Sequence, residues 1–171
     1  GATEEVVANM IANGKKNIAF VSASLSNPIN GQHRLKGYKN ALVNANIAFD
    51  EALVFECEPT LQNGELLAEQ LLEAGVDAAY VAGDELAIGL LNAIINAGVS
   101  VPEAFEVTAS NNSRITEMAR PKLTSIMLPL YDIGAVAMRL LTKIMNKEEI
   151  DEKSIILPYK IVNRGTTLPK K

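Results

Sequence analysis

The sequence has no tryptophan, one cysteine and one histidine, and only four each of phenylalanine and tyrosine in its 171 residues. Each shortage closes off a class of function. A lone cysteine, Cys57, forms no internal disulfide, so the chain suits a reducing, cytosolic compartment. A lone histidine, His33, brings no second histidine or cysteine at metal-ligand spacing. No basic cluster and no interleaved aromatic platform occurs, and the formal charge is −4, which argues against a nucleic-acid surface on this chain. Apolar runs stop well short of the roughly 20 residues a membrane-spanning helix needs, and no signal-peptide pattern opens the chain. Enzyme signatures are missing too: no Gly-x-Gly-x-x-Gly after a strand, no Gly-Lys-Ser/Thr phosphate loop, no Gly-x-Ser-x-Gly elbow. With no partner base in view, Cys57 reads as a small buried residue and His33 as a surface residue beside a polar loop. The chain is not expected to be an enzyme or to carry a cofactor.

What is there is a core. Hydrophobic residues make up 48% and charged residues 21%, and the length is enough for one well-buried domain. The pattern alternates between short apolar runs and helical periodicity. Thr3 can cap a first helix carrying Val6, Val7, Met10 and Ile11. Strands are expected at 17–22, 53–57, 77–82, 105–109, 123–128 and 155–162, the first a continuous apolar run suited to burial on both faces. Helices are expected at 32–44, 63–74 and 84–97, the last two stopped by Gly75 and Gly98. The Lys147–Lys153 charge run reads as a solvated turn. Such alternation predicts an α/β fold, an open parallel sheet flanked by helices with right-handed crossovers. Ligands in such sheets sit beyond the carboxyl ends of the strands, so the loops to watch begin at Ser22, Gly83 and Ser110.

Two features stand above this background. Arg34 opens a helix at the strand-end crevice, where it is either a solvated cation or a ligand contact. Asp84-Glu85, where a strand meets a helix, stays in the background, because an N-cap role for Asp84 accounts for it without a ligand. The second feature is the helix from Leu130, which has two apolar stripes where one suffices. Ile133, Val136, Ala137, Leu140, Leu141 and Ile144 form the first. Tyr131, Ala135, Met138 and Thr142 form the other, edged by Asp132, Arg139 and Lys143. Charged heads beside that second stripe need water or an anionic partner, which favours an interface over an internal sandwich.

Val81-Ala-Gly-Asp-Glu-Leu-Ala-Ile-Gly89, Ala97-Gly-Val-Ser-Val-Pro102, Arg120-Pro-Lys-Leu-Thr124 and Gly134-x-x-Ala-x-x-Leu-Leu141 follow one another at the spacing of the LacI/GalR regulators, and the chain resembles that family over nearly its whole length. The resemblance implies a periplasmic-binding-protein-like sensor core of two lobes joined to an N-terminal helix-turn-helix. Residues 1–121 would then be the C-terminal lobe, 122–150 a crossover strand and helix belonging to the N-terminal lobe, and 151–171 a return strand and tail. Operator DNA would be bound only through a headpiece outside this sequence, which fits the acidic balance. The family's effector-cleft positions fall on Arg34, Gly83, Asp84 and Asn111. Gly83 replaces an Asn and Asn111 an Asp, which weakens the case for sugar recognition. Asn27-Pro-Ile-Asn30, Lys36-Gly-Tyr-Lys39 and Pro129–Lys143 are similar to the members that serve carbon catabolite control. Their corepressor is the phosphocarrier HPr phosphorylated on serine, and its contacts carry over to Tyr131, Asp132, Ala135, Met138 and Arg139, with Lys143 at the edge. Sugar phosphates are adjunct effectors there, for which Arg34 is the candidate contact. A homodimer is implied, through Leu86, Leu90 and Met118, although Leu90 fits the core equally well. Other readings are a sugar-responsive repressor core without a protein corepressor and a free-standing sugar-binding protein.

Overall fold

A computed structural model describes residues 1–150 and 154–169, the side chains of Ile29 and Asn30 aside. The expected boundary at 150/151 and the end of the Lys147–Lys153 run lie outside the described residues. The elements are α1 (Ala2–Ala12), β1 (Ile18–Ser22), α2 (His33–Asn44), β2 (Val54–Glu56), α3 (Leu61–Glu73), β3 (Ala78–Val81), α4 (Asp84–Asn96), β4 (Glu106–Ser110), α5 (Ile115–Met118), β5 (Thr124–Met127), α6 (Leu130–Met145) and β6 (Lys160–Val162). The polar stretch before α2 is a π-helical turn, Pro28–Gln32, that runs straight into that helix.

The six strands form one sheet in the order β2-β1-β3-β4-β5-β6. The first four pairings are parallel and the last, β5 with β6, is antiparallel. Every residue of β1, β3 and β4 is buried, because helices cover both faces of the sheet. On one face Val6, Val7 and Met10 of α1 and Tyr38, Ala41 and Leu42 of α2 pack on Ile18, Phe20 and Tyr80. Phe20 stands between two tyrosine rings, its centroid 5.5 Å from those of Tyr38 and Tyr80. The Tyr38 hydroxyl is buried and donates to the Ile18 carbonyl at 2.8 Å. Burial, with Asp50 adding to it, pushes its pKa up to about 12. On the other face α3 and α4 lie over Ala19, Val21, Ala79 and Val81.

α3 and α4 touch backbone to backbone. A Cβ on Gly64 would collide with the Leu86 carbonyl oxygen, and one on Gly89 with the Leu61 carbonyl oxygen. That approach drives Leu86 and Leu90 into the core at 1% and 0% exposure, which corrects their assignment to a dimer surface. Both side chains are spent on packing within the chain and present nothing to a partner.

Three expectations about element ends also change. The N-cap of α1 is Gly1, and Thr3 is buried inside the first turn. The last strand covers only Lys160–Val162, because Pro158 has no N–H for a ladder and residues 155–159 run outside the sheet. Residues 124–126 pair with β4 as part of the fifth strand of this same sheet, so the expected boundary at 121/122 falls within a continuous layer. The chain leaves the sheet only at Leu128–Pro129, where α6 begins.

Candidate effector cleft and docking helix

The strand order reverses between β1 and β3: the chain goes one way from β1 to β2 and the other from β3 onward. Beyond the carboxyl ends of those strands a crevice forms, where the diverging crossovers leave the sheet uncovered. A cleft of about 450 Å³ lies there, and Arg34, Gly83, Asp84 and Asn111 all line it. Residues 34, 83 to 84 and 111 are far apart in sequence, so their meeting is a property of the fold. Arg34 comes from the first turn of α2 and is half-buried. Asn111 follows β4 at φ +108°, a backbone angle uncommon outside glycine, and its N–H donates to the Ile126 carbonyl. Ser22, Pro59, Glu85, Ser113 and Ile115 are among the other residues of the lining. The strand-end rule pointed at the first of these and at the loop carrying Ser113; nothing in the local pattern pointed at Pro59.

Asp84 is not the N-cap of α4. That position is Gly83, and Asp84 is the first helical residue, 5% exposed. Its carboxylate accepts from the Ser113 backbone N–H at 2.7 Å and from the Ser125 hydroxyl at 3.2 Å. Ser125 Oγ in turn accepts from the Asn112 N–H at 3.0 Å. Arg164, after β6, donates to Asn112 Oδ1 and to the Leu123 carbonyl, each at 2.7 Å. The cleft floor is thereby tied to β5 and to the returning chain by a buried polar network, and Asp84 holds the loop that shapes the cleft.

His33 is exposed beside Arg34. Cys57 is half-buried and packs against the core, and burial raises its thiol pKa, which disfavours the nucleophilic thiolate. Among the described residues no cluster of histidine, cysteine and carboxylate side chains is arranged to hold a metal ion.

α6 buries none of its residues. Tyr131 is 87% exposed and Met138 62%. Asp132, Ala135 and Arg139 are exposed as well, and Lys143 is half-buried. The other stripe differs: Ile133, Val136 and Leu140 line a groove of about 380 Å³ together with Leu157 and Tyr159 of the returning chain. The two apolar faces read from the spacing are therefore physically distinct, one turned to the chain's own return segment and one open. Met118 is 73% exposed and, with Leu61, Ile88 and Ile115, lines a shallow apolar depression beside α4. Among the described residues no helix is long and apolar enough to cross a membrane.

Comparison with known proteins agrees with this geometry. The model of the periplasmic binding protein-like domain matches residues 7–167. Catabolite control protein A of Streptococcus mutans is 52% identical over 97% of this chain and half of its own length, and that of Staphylococcus xylosus is 45% identical over the same shares. The chain thus spans about half the length of the curated relatives it matches. Among solved structures, transcription regulator CcpA of Lactococcus lactis superposes with a TM-score of 0.92 at 46% identity, covering 98% of this chain and 61% of that one. A LacI-family regulator of Escherichia coli complexed with phosphate has a TM-score of 0.85 at 28% identity, over 97% of this chain and 60% of its own. A transcriptional regulator CelR–cellobiose complex superposes with a TM-score of 0.88 at 27% identity, over 96% and 50% respectively. The chain belongs to the periplasmic binding protein-like domain family, in its branch of LacI-family transcription regulators.

Proposed function

We propose that the chain is the effector-sensing part of a regulator of carbon catabolite control, and that the open face of α6 docks serine-phosphorylated HPr. The observation that carries this is the surface of α6 itself. Tyr131, Ala135 and Met138 form an exposed apolar patch with Asp132 and Arg139 at its edges, the composition of an interface centre. The Arg139 guanidinium suits a phosphoserine, since its planar donors match phosphate oxygens and carry a permanent charge. The chain's likeness to catabolite control proteins A supports the same assignment.

The mechanism is a population shift. A corepressor that prefers one arrangement of the sensor shifts the equilibrium toward it, and the intact homodimer then binds operator DNA through headpieces outside this sequence. With Leu86 and Leu90 in the core, the dimer surface retains Met118 and gains Ile88 beside it. The regulator works in the cytoplasm and performs no catalysis.

The test is a titration of serine-phosphorylated HPr against the intact regulator, with Arg139→Ala in parallel. Loss of a charge-assisted phosphate contact of roughly 1.5–3 kcal/mol weakens binding by about 10- to 150-fold. Equal affinity of the variant removes the contact assignment. A second reading, a small-molecule effector in the cleft, is favoured by the convergence of Arg34, Gly83, Asp84 and Asn111 on one crevice. Relatives solved with phosphate and with cellobiose have the same fold. Calorimetry with sugar phosphates on Arg34→Ala separates it, because that substitution leaves the HPr face untouched.

A further inference from the structure

Four buried side-chain polar atoms have no hydrogen-bond partner among the described residues, and three of them belong to one small cavity. They are Glu106 Oε2 and Thr108 Oγ1, on the same side of β4, and Asn13 Oδ1 at the end of α1. Glu106 is 0% and Thr108 1% exposed. The cavity measures about 10 Å³, and Asn13, Glu106 and Thr108 all line it, with Thr124, Thr167 and Leu168. That is the volume of a single water, and a buried water typically takes two to four hydrogen bonds. We propose that this cavity is the site of one internal water, which donates to Glu106 Oε2 and Asn13 Oδ1 and accepts from the Thr108 hydroxyl.

The donor count supports water over other occupants. A carboxylate oxygen and an amide oxygen only accept, whereas a threonine hydroxyl can donate, and water's two protons and its lone pairs fit this set. A hard cation would want about six oxygens, and the cavity offers three unengaged ones with a single formal charge. The buried ammonium of Lys15 already bears on Glu106 and disfavours a second cation.

The water acts as a keystone for the C-terminal segment. Glu106 Oε1, the other oxygen of the same carboxylate, accepts from the Leu168 N–H at 2.9 Å and from Asn13 Nδ2 at 2.9 Å. Two residues earlier, Thr166 exchanges backbone and side-chain bonds with Val107, and Thr167 Oγ1 is 2.9 Å from Thr124 Oγ1. Fixing the Glu106 carboxylate from its other side therefore fixes where 166–168 runs against β4 and β5. That is the stretch just past Arg164, which braces the cleft loop from outside.

A crystal structure of the chain beyond about 1.5 Å resolution tests the site, with Thr108→Val as an isosteric variant lacking the donor. The expected result is one spherical peak about 2.7–3.1 Å from all three oxygens, with the peak lost in Thr108→Val. Amide exchange at Leu168 then rises roughly tenfold in the variant against core amides of β3, as expected for a local opening. No peak, a peak at the shorter distances of a metal ion, direct contact between Glu106 and Thr108, or a peak unchanged in Thr108→Val each overturns the proposal. In Glu106→Gln the amide oxygen takes the place of Oε1, which receives the Leu168 and Asn13 donors, and the NH2 turns to the cavity, where water accepts from it. The peak is retained, so its loss there also counts against the assignment.

Discussion

The Ser113 backbone N–H donates to the carboxylate of Asp84 across 2.7 Å, joining the loop after β4 to the first turn of α4. Ser113 lies 29 residues beyond Asp84, so this bond forms only once β3 and β4 are paired. Both Asp84 oxygens are engaged in a largely water-free site. Asp84→Ala leaves the Ser113 N–H and the Ser125 hydroxyl to find new partners and costs about 2 kcal/mol or more. Asp84→Asn keeps one acceptor, and Ser125 can rotate to receive the new amide, so it costs less. Urea unfolding of the three proteins checks the order, and equal stability of Asp84→Ala and the parent refutes it.

Gly64 and Gly89 carry the contact between α3 and α4. Each faces the backbone of the opposite helix, Gly64 against Leu86 and Leu90, Gly89 against Leu61 and Glu65. Backbone cannot rotate aside as a side chain can, so a methyl group at either position forces the helices apart. Gly64→Ala and Gly89→Ala each cost about 3 kcal/mol despite the better helix propensity of alanine. Thermal unfolding measures this. Because the two sites share one interface, the double variant should cost less than the sum of the singles.

How far the sequence alone leads can be seen at such positions. The strands at 18–22 and 78–81 were visible because strands buried on both faces are apolar throughout. Gly75 and Gly98 marked the helix ends, where they adopt φ +67° and +81°. The arrival of Arg34, Gly83 and Asn111 in one cleft followed from the strand-end rule together with the family resemblance. The role of Asp84 was not visible, because its partners are 29 and 41 residues away and local capping explained it equally well. α4 misled for a different reason. It is apolar almost all round, so periodicity alone did not say whether Leu86 and Leu90 or Ile88 faced outward; the glycine contacts with α3 decide that. At the last strand, the apolar residues 155–157 resembled a ladder that Pro158 interrupts.

Glu106 gives the chain a pH dependence whose sign can be worked out. Burial raises its carboxyl pKa above the ordinary 4.5, and hydrogen bonds from Leu168 and Asn13 and the charge on Lys15 offset this only in part. The folded state therefore holds the proton more tightly than the unfolded chain. Its contribution to stability is full below pH 4.5 and is lost as pH rises through the raised folded value, then stays level. Glu106→Gln removes this titration. The stability of the parent relative to Glu106→Gln should thus fall between pH 4.5 and the raised value and run parallel above it. Urea titrations at stepped pH read it directly, and a parallel course across the whole range contradicts the shift.

α6 sets the terms for testing the docking surface, because a helix that buries no residue contributes little packing to the rest of the chain. Substitutions on its open face fall in the class of surface changes that shift stability by about 0.5 kcal/mol or less. Tyr131→Ala, Met138→Ala and Arg139→Ala should therefore leave the unfolding midpoint near that of the parent, whereas Leu91→Ala, in the core, costs about 2–5 kcal/mol. Amides of α6 should also exchange faster than those of α4, whose Leu86, Leu90, Leu91 and Ile94 are buried. Together these separate binding from folding. If an α6 variant loses affinity for the phosphorylated partner while its unfolding midpoint stays in place, the lost energy belonged to the interface. If the midpoint falls with it by several kcal/mol, the open face is packed against something within the chain and the docking assignment fails.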